Sequence, residues 1–208
     1  MLDCACPLAT AIDTIPYDPC LDIFGKDGRW VFQRYDDANN TFLNASNGIE
    51  LEASWASIPD ASDGTKVSVT PLLEDVNFNE PDILEDSENL DGAAIAVGSG
   101  TQTVTAIIRN ITPAQQVALT QLGCEPKLSF YRISSQGKLG ARLVGTVDHA
   151  GIIISPNTFI VRDPARGGTR VDQTKTTIQF QLAAGWYESF RVVAPATGFT
   201  PLTEIKPS

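Results

Sequence analysis

The feature that most limits what this chain can become is its punctuation. Short runs rich in β-branched and aromatic residues are separated by clusters of Gly, Pro, Asp and Asn, a rhythm that suits many short strands and few helices. The runs are Arg29–Tyr35, Ile49–Trp55, Lys66–Leu72, Ala93–Val97, Thr101–Arg109, Lys127–Ile133, Leu139–Val147, Gly151–Ile154, Thr158–Val161, Thr176–Leu182 and Trp186–Val193. Between them lie turn signals such as Asp27-Gly28, Asp36–Asn40, Ile58–Thr65, Gln136-Gly137 and Ala184-Gly185. Ala93–Val97 and Thr101–Arg109 read as a hairpin around Gly98-Ser99-Gly100. The pattern predicts a mainly β fold, a β-sandwich or barrel of about ten short strands.

One helix is expected, over residues 112–122. Thr112 is a good N-cap, Pro113 suits the first helical position, Gln115 completes a capping box and Gly123 follows the last turn. Val117, Leu119 and Leu122 give it apolar positions, and three turns need a surface to lie on. With 208 residues, one domain is expected at 28–194. Residues 1–27 and 195–208 read as arms. The first is rich in Pro, Asp and Cys, yet holds Ile12, Ile15, Tyr17, Leu21, Ile23 and Phe24, so it should pack on its own domain or a neighbour.

No apolar run is long enough for a membrane span, and the start lacks the basic and apolar regions of a secretory signal, so synthesis in a cytoplasm is expected. Cys4, Cys6, Cys20 and Cys124 do not have zinc-site spacing and read as free thiols, with a later cross-link the lesser option. A formal net charge of −10 opposes tight binding to a phosphate backbone.

Catalytic signatures are missing. His149 is the only histidine, reads as a surface or turn residue, and has no G-x-S-x-G nucleophile to serve. Gly98-Ser99-Gly100-Thr101 lacks the third glycine and following helix of a dinucleotide loop. The chain is expected not to be an enzyme and to need no cofactor or metal.

Residues 74–91 are the compositional anomaly. Glu74, Asp75, Glu80, Asp82, Glu85, Asp86, Glu88 and Asp91 occur there with no Lys, Arg or His, interspersed with Val76, Phe78, Ile83, Leu84 and Leu90. The order is not that of a calcium loop. An acidic loop that orders on a partner is the expectation. Basic residues cluster later in the chain, as Lys127, Arg132, Lys138, Arg142, Arg162, Arg166, Arg170 and Lys175. An acidic middle and a basic later half suit copies of one chain that bind head to tail, closing as rings or growing as filaments. Ordinary solvated faces are the plainer alternative.

The order of these elements resembles that of the tail tube (major tail) proteins of tailed bacteriophages. Ser62–Val67 leads into a strand and the acidic insertion, followed by Gly98–Thr101, the strand to Arg109, the helix Thr112–Leu122 and the strand Lys127–Ile133. The resemblance spans roughly residues 28–194. It implies a β-sandwich flanked by one helix, six copies in a ring, and rings stacked into a tube in the virion. It also implies a long loop that reaches a neighbouring copy, contacts with other virion proteins, and a lumen through which DNA slides without specific binding. Two alternatives remain open. One is a head-decoration, connector or collar protein. The other is a β-sandwich that binds carbohydrate or a host surface through Trp30, Trp55 or Trp186.

Overall fold

The computed structural model describes residues 24–34, 48–56, 66–81, 83–86, 95–145, 148–164 and 174–205. The mainly β expectation holds: two antiparallel sheets pack as a sandwich with few helices. In chain order the strands are β1 Asp27–Arg34, β2 Val67–Val69, β3 Leu73–Phe78, β4 Ile83–Asp86, β5 Ile95–Ser99, β6 Gln102–Arg109, β7 Leu128–Ser134, β8 Leu139–Val144, β9 Asp148–Ala150, β10 Ile152–Ile153, β11 Ile160–Val161, β12 Lys175–Leu182 and β13 Phe190–Val193. The helices are α1 Glu52–Trp55, α2 Pro113–Leu122 and α3 Pro201–Glu204, with a single 3₁₀ turn at Trp186–Ser189.

The larger sheet runs β13-β8-β7-β1-β2, with β10 added to β7 and β9 to β8; the smaller runs β11-β12-β6-β3. The two meet over an aromatic core. Trp30 and Phe32 of β1 and Phe130 of β7 face Phe180 of β12, with Trp30–Phe180 and Phe130–Phe180 ring centroids 5.2 and 5.0 Å apart. Interplanar angles of 68° and 69° bring ring edges onto faces, as the aromatic quadrupole prefers. Alternation along β6 and β12 sends Val104, Ala106, Ile108, Ile178, Phe180 and Leu182 into this core.

Side chains of the larger sheet that point the other way are buried too. Val31, Tyr131, Ile133, Leu139 and Ala141 pack with Ile49, Trp55, Phe199 and Ile205. Residues 196–205, within the stretch expected as an arm, fold back as a third layer: Phe199 and Ile205 are apolar enough to cover a sheet, and α3 lies between them. A hydrogen bond from the Ala196 N–H to the Glu50 carbonyl ties this layer to the Ile49–Trp55 segment.

That segment, expected as a strand, is a turn leading into α1. The Trp55 indole donates to the Ile49 carbonyl at 2.8 Å and the Ser54 hydroxyl to Gly48 at 2.8 Å, so the chain closes on itself and pairs with no strand. The expected hairpin across Gly98–Gly100 is also absent. β5 pairs with β4, while β6 pairs with β12 and β3, because the alternation of β6 commits it to the core. Similarly, Gly185 (φ 73°) makes the turn after β12, but the 3₁₀ turn then carries the chain to the other sheet, where β13 pairs with β8. His149 lies in β9 and is half-buried instead of sitting in a turn.

α2 has the expected bounds and the full capping box. The Gln115 N–H donates to the Thr112 hydroxyl oxygen, and the Thr112 N–H to the Gln115 side chain. Its packing is lighter than its apolar residues suggest: Leu119 is buried, Leu122 partly so, and Val117 is exposed.

Candidate functional site

The acidic stretch is not a single loop. Its first part is β3, the edge of the smaller sheet, where a register shift between Glu74 and Asn77 and a left-handed Asp75 (φ 48°) form a bulge. Glu74 is ion-paired with Arg109, and Asp75 and Glu80 are exposed. Charges and a bulge on an edge strand discourage stray pairing there. Ile83, Leu84, Glu85 and Asp86 form β4, which pairs antiparallel with β5 as a separate two-stranded ribbon. Asp82, Glu88 and Asp91 lie outside the described residues.

The described basic residues lie on different elements of the fold. Lys127 precedes β7 and is exposed, Lys138 closes the β7–β8 turn, and Arg142 sits half-buried in β8 of the larger sheet. Arg162 and Lys175 are exposed beside the smaller sheet, and Arg166 and Arg170 lie outside the described residues. Arg132 is internal. Its guanidinium makes two parallel bonds to the Asp27 carboxylate, both 3.0 Å. It also lies 4.4 Å from the Phe24 ring centre and 4.3 Å from that of Phe78, with Phe190 at 5.2 Å. Burial holds the Asp27 carboxyl above its usual pKa even though Arg132 pulls the other way. One member of the acidic stretch, Phe78, and one of the basic set, Arg132, thus meet within a single chain.

Beside this contact opens a cleft of about 400 Å³, lined by Phe78, Pro81, Gln102, Arg132, Trp186 and Tyr187, with Gly100 and Gly185 at its margins. Gly185 in the left-handed region turns the chain so that Trp186 and Tyr187 stand at the edge of the sandwich. Trp186 stacks on Phe78 (centroids 5.8 Å, 26°) and donates its indole N–H to the Gln102 side-chain oxygen at 2.6 Å. Tyr187 is 68% exposed. The cleft lies where the ribbon departs, since Pro81 precedes β4 and Gly100 follows β5.

These walls offer stacking surface and few polar groups. Among the described residues no Ser, Cys, His, Asp or Glu lines the cleft. Among the described residues no group of three or more His, Cys, Asp or Glu is placed to hold a metal ion. No helix among them is long and apolar enough to cross a membrane. Of the tryptophans named as stacking platforms, Trp30 and Trp55 are buried and cannot serve, while Trp186 borders this cleft. Cys124 is a free, exposed thiol after α2, while Cys4, Cys6 and Cys20 lie outside the described residues.

Sequence reasoning missed Phe24, Asp27, Gln102 and Tyr187 as members of this region. The Asp27–Arg132 pair joins positions 105 residues apart, which no local pattern signals. Gly185 did carry a signal, since a glycine there marks a turn and so places Trp186 and Tyr187 directly beside one. The chain matches no protein-family profile, no curated protein and no solved structure.

Proposed function

We propose that this chain is a self-assembling structural subunit, of the kind represented by the tail tube proteins of tailed bacteriophages, which joins copies of itself through its acidic ribbon. One observation carries the reading: β4 and β5 pair with each other and with no strand of either sheet among the described residues. An isolated two-stranded ribbon is marginal in water and gains stability by lying on another surface. This one stems from a stretch of eight carboxylates with no cation of its own. Arg162 and Lys175, exposed beside the smaller sheet, give a second copy a site of opposite charge. The contact joins two different surfaces, so it propagates, either closing as a ring or continuing as a filament.

Six-fold rings, a place in the virion, contact with other virion proteins and passage of DNA are what the resemblance adds to this reading. The test is sedimentation and negative-stain imaging of the full chain over a range of concentration and salt. Rings or tubes that weaken as salt rises are expected. A monomer under every condition overturns the proposal. Glu85→Lys with Asp86→Lys should abolish assembly while leaving the far-UV circular dichroism of the sandwich unchanged. Their location among decoration, connector or tube positions is read from the shape of the particle.

A further inference from the structure

The aromatic cleft opens at one end of the sandwich. Its walls come from the connections there: Pro81 follows β3, Gly100 precedes β6, Gln102 starts it, and Gly185, Trp186 and Tyr187 follow β12. The rim is acidic. Glu80, beside Pro81, is exposed, and the exposed Glu188 keeps its carboxylate near Gly185. Arg132 inside adds little net charge, because the Asp27 carboxylate accepts two of its bonds.

The opposite end carries α2, which follows Arg109 at the far end of β6, roughly 23 Å along that strand from Gln102. The Gln116 side-chain amide donates to the Arg162 carbonyl at 3.4 Å, and the Thr176 hydroxyl donates to the Gln116 side-chain oxygen at 3.3 Å. These bonds fasten the helix beside exposed Arg162 and Lys175, with Asp163 next to Arg162. Val117 of α2 and Leu72, just before β3, are exposed to the same degree at this end, 57% and 58%. Leu72 is followed by Glu74 and Asp75, acids that an acidic rim repels. Val117 instead sits in a ten-residue helix without a charged side chain, so it can enter an apolar cleft without stripping water from a charge.

We propose that the cleft of one copy receives Val117 from the opposite end of a second copy, so that subunits join end to end along their strands. Arg162 and Lys175 of the incoming copy then meet Glu80 and Glu188 of the rim, and the root of the acidic ribbon, which leaves from the margin of the cleft. A cleft of about 400 Å³ has room for the valine together with the edges of exposed Ala114 and Ala118 beside it. The contact rests on the assembly reading and names the two surfaces that meet in it.

Because the two surfaces lie at opposite ends, a disulfide between them, which needs Cα atoms within about 7 Å, forms only between copies. The test uses the full chain with Cys4→Ser, Cys6→Ser, Cys20→Ser and Cys124→Ser. Under mild oxidation, Val117→Cys with Tyr187→Cys should give a ladder of dimers, trimers and longer chains in which peptide mapping joins position 117 to position 187. Leu72→Cys with Tyr187→Cys is the reference and should bridge at least about tenfold more slowly. Pro81→Cys repeats the measurement from another wall if Tyr187→Cys weakens the cleft. Equal rates at the two positions, or bridges only between like positions, overturn the proposal. In the chain without added cysteines, Val117→Glu should raise the concentration needed for assembly about tenfold while leaving the far-UV circular dichroism unchanged; no change in that concentration also overturns it. Rings or tubes in negative stain without a bridge from 117 to 187 overturn this docking and leave the assembly reading standing. A chain that stays monomeric overturns both.

Discussion

The two sheets of this sandwich are covered differently, and their sequences differ accordingly. The larger sheet is buried on both faces, by its partner on one side and by the Ile49–Trp55 and Phe199–Ile205 segments on the other. Its central strands therefore read as nearly continuous apolar runs, Trp30-Val31-Phe32 in β1 and Phe130-Tyr131 in β7. The smaller sheet shows its outer face to solvent. There the register aligns Thr177 with Ile107, Gln179 with Thr105 and Gln181 with Thr103, none of them buried. Strict alternation along β6 and β12 records an open face, and its loss along β1 records a covered one.

Trp30 tests this contrast most severely. It is fully buried and meets Phe32, Phe130 and Phe180 edge to face, so Trp30→Ala should cost about 3–5 kcal/mol by urea unfolding. Ile205, also fully buried, belongs to the covering layer. If that layer is true core, Ile205→Ala should cost about 2–5 kcal/mol. A cost near zero would mean that the C-terminal segment merely rests on the sheet, and the larger sheet would then be no more covered than the smaller.

Sequence reading recovered what depends on local pattern and lost what depends on distant partners. The cap of α2 lies within four residues, so Thr112, Pro113 and Gln115 disclosed it. Strands such as β6 and β12 were legible because each repeats its alternation over eight residues. Ile49–Trp55 misled because Ile49 and Trp55 are both buried, a pattern that a short strand and a closed turn share. The tail after Pro195 looked like an arm because its prolines and glycine outweighed two apolar residues, Phe199 and Ile205, whose role exists only when a sheet lies beneath them. For the site, Phe78 and Trp186 were singled out from sequence, but their stacking across β3 and the 3₁₀ turn is tertiary.

The larger sheet also carries a pH dependence. His149 in β9 has its pKa lowered, chiefly by burial and further by Arg191, against the opposing pull of Glu50 and Asp148. The unfolded chain therefore binds the proton first. The stability that neutral His149 contributes is complete above its unfolded pKa of about 6.5 and is lost as the pH falls toward the lower folded value. His149→Gln should flatten the fall in the urea midpoint between pH 8 and pH 5.5 relative to the native chain. Parallel profiles would show that the residue is as solvated as an outer-face side chain.

The smallest effect belongs to the open face itself. Thr105 is half-exposed at the centre of the smaller sheet, opposite Gln179, and its neighbours Val104 and Ala106 point into the core. Removing its hydroxyl and methyl leaves no cavity and strips no buried donor of its partner, so Thr105→Ala should shift stability by no more than about 0.5 kcal/mol. The same substitution one residue along, Val104→Ala, removes two fully buried methyl groups and should cost distinctly more. Measured side by side at one low protein concentration, the pair separates the faces of one strand. A large loss at Thr105 under those conditions would mean that something covers the smaller sheet as well, and the contrast between the two sheets would fail.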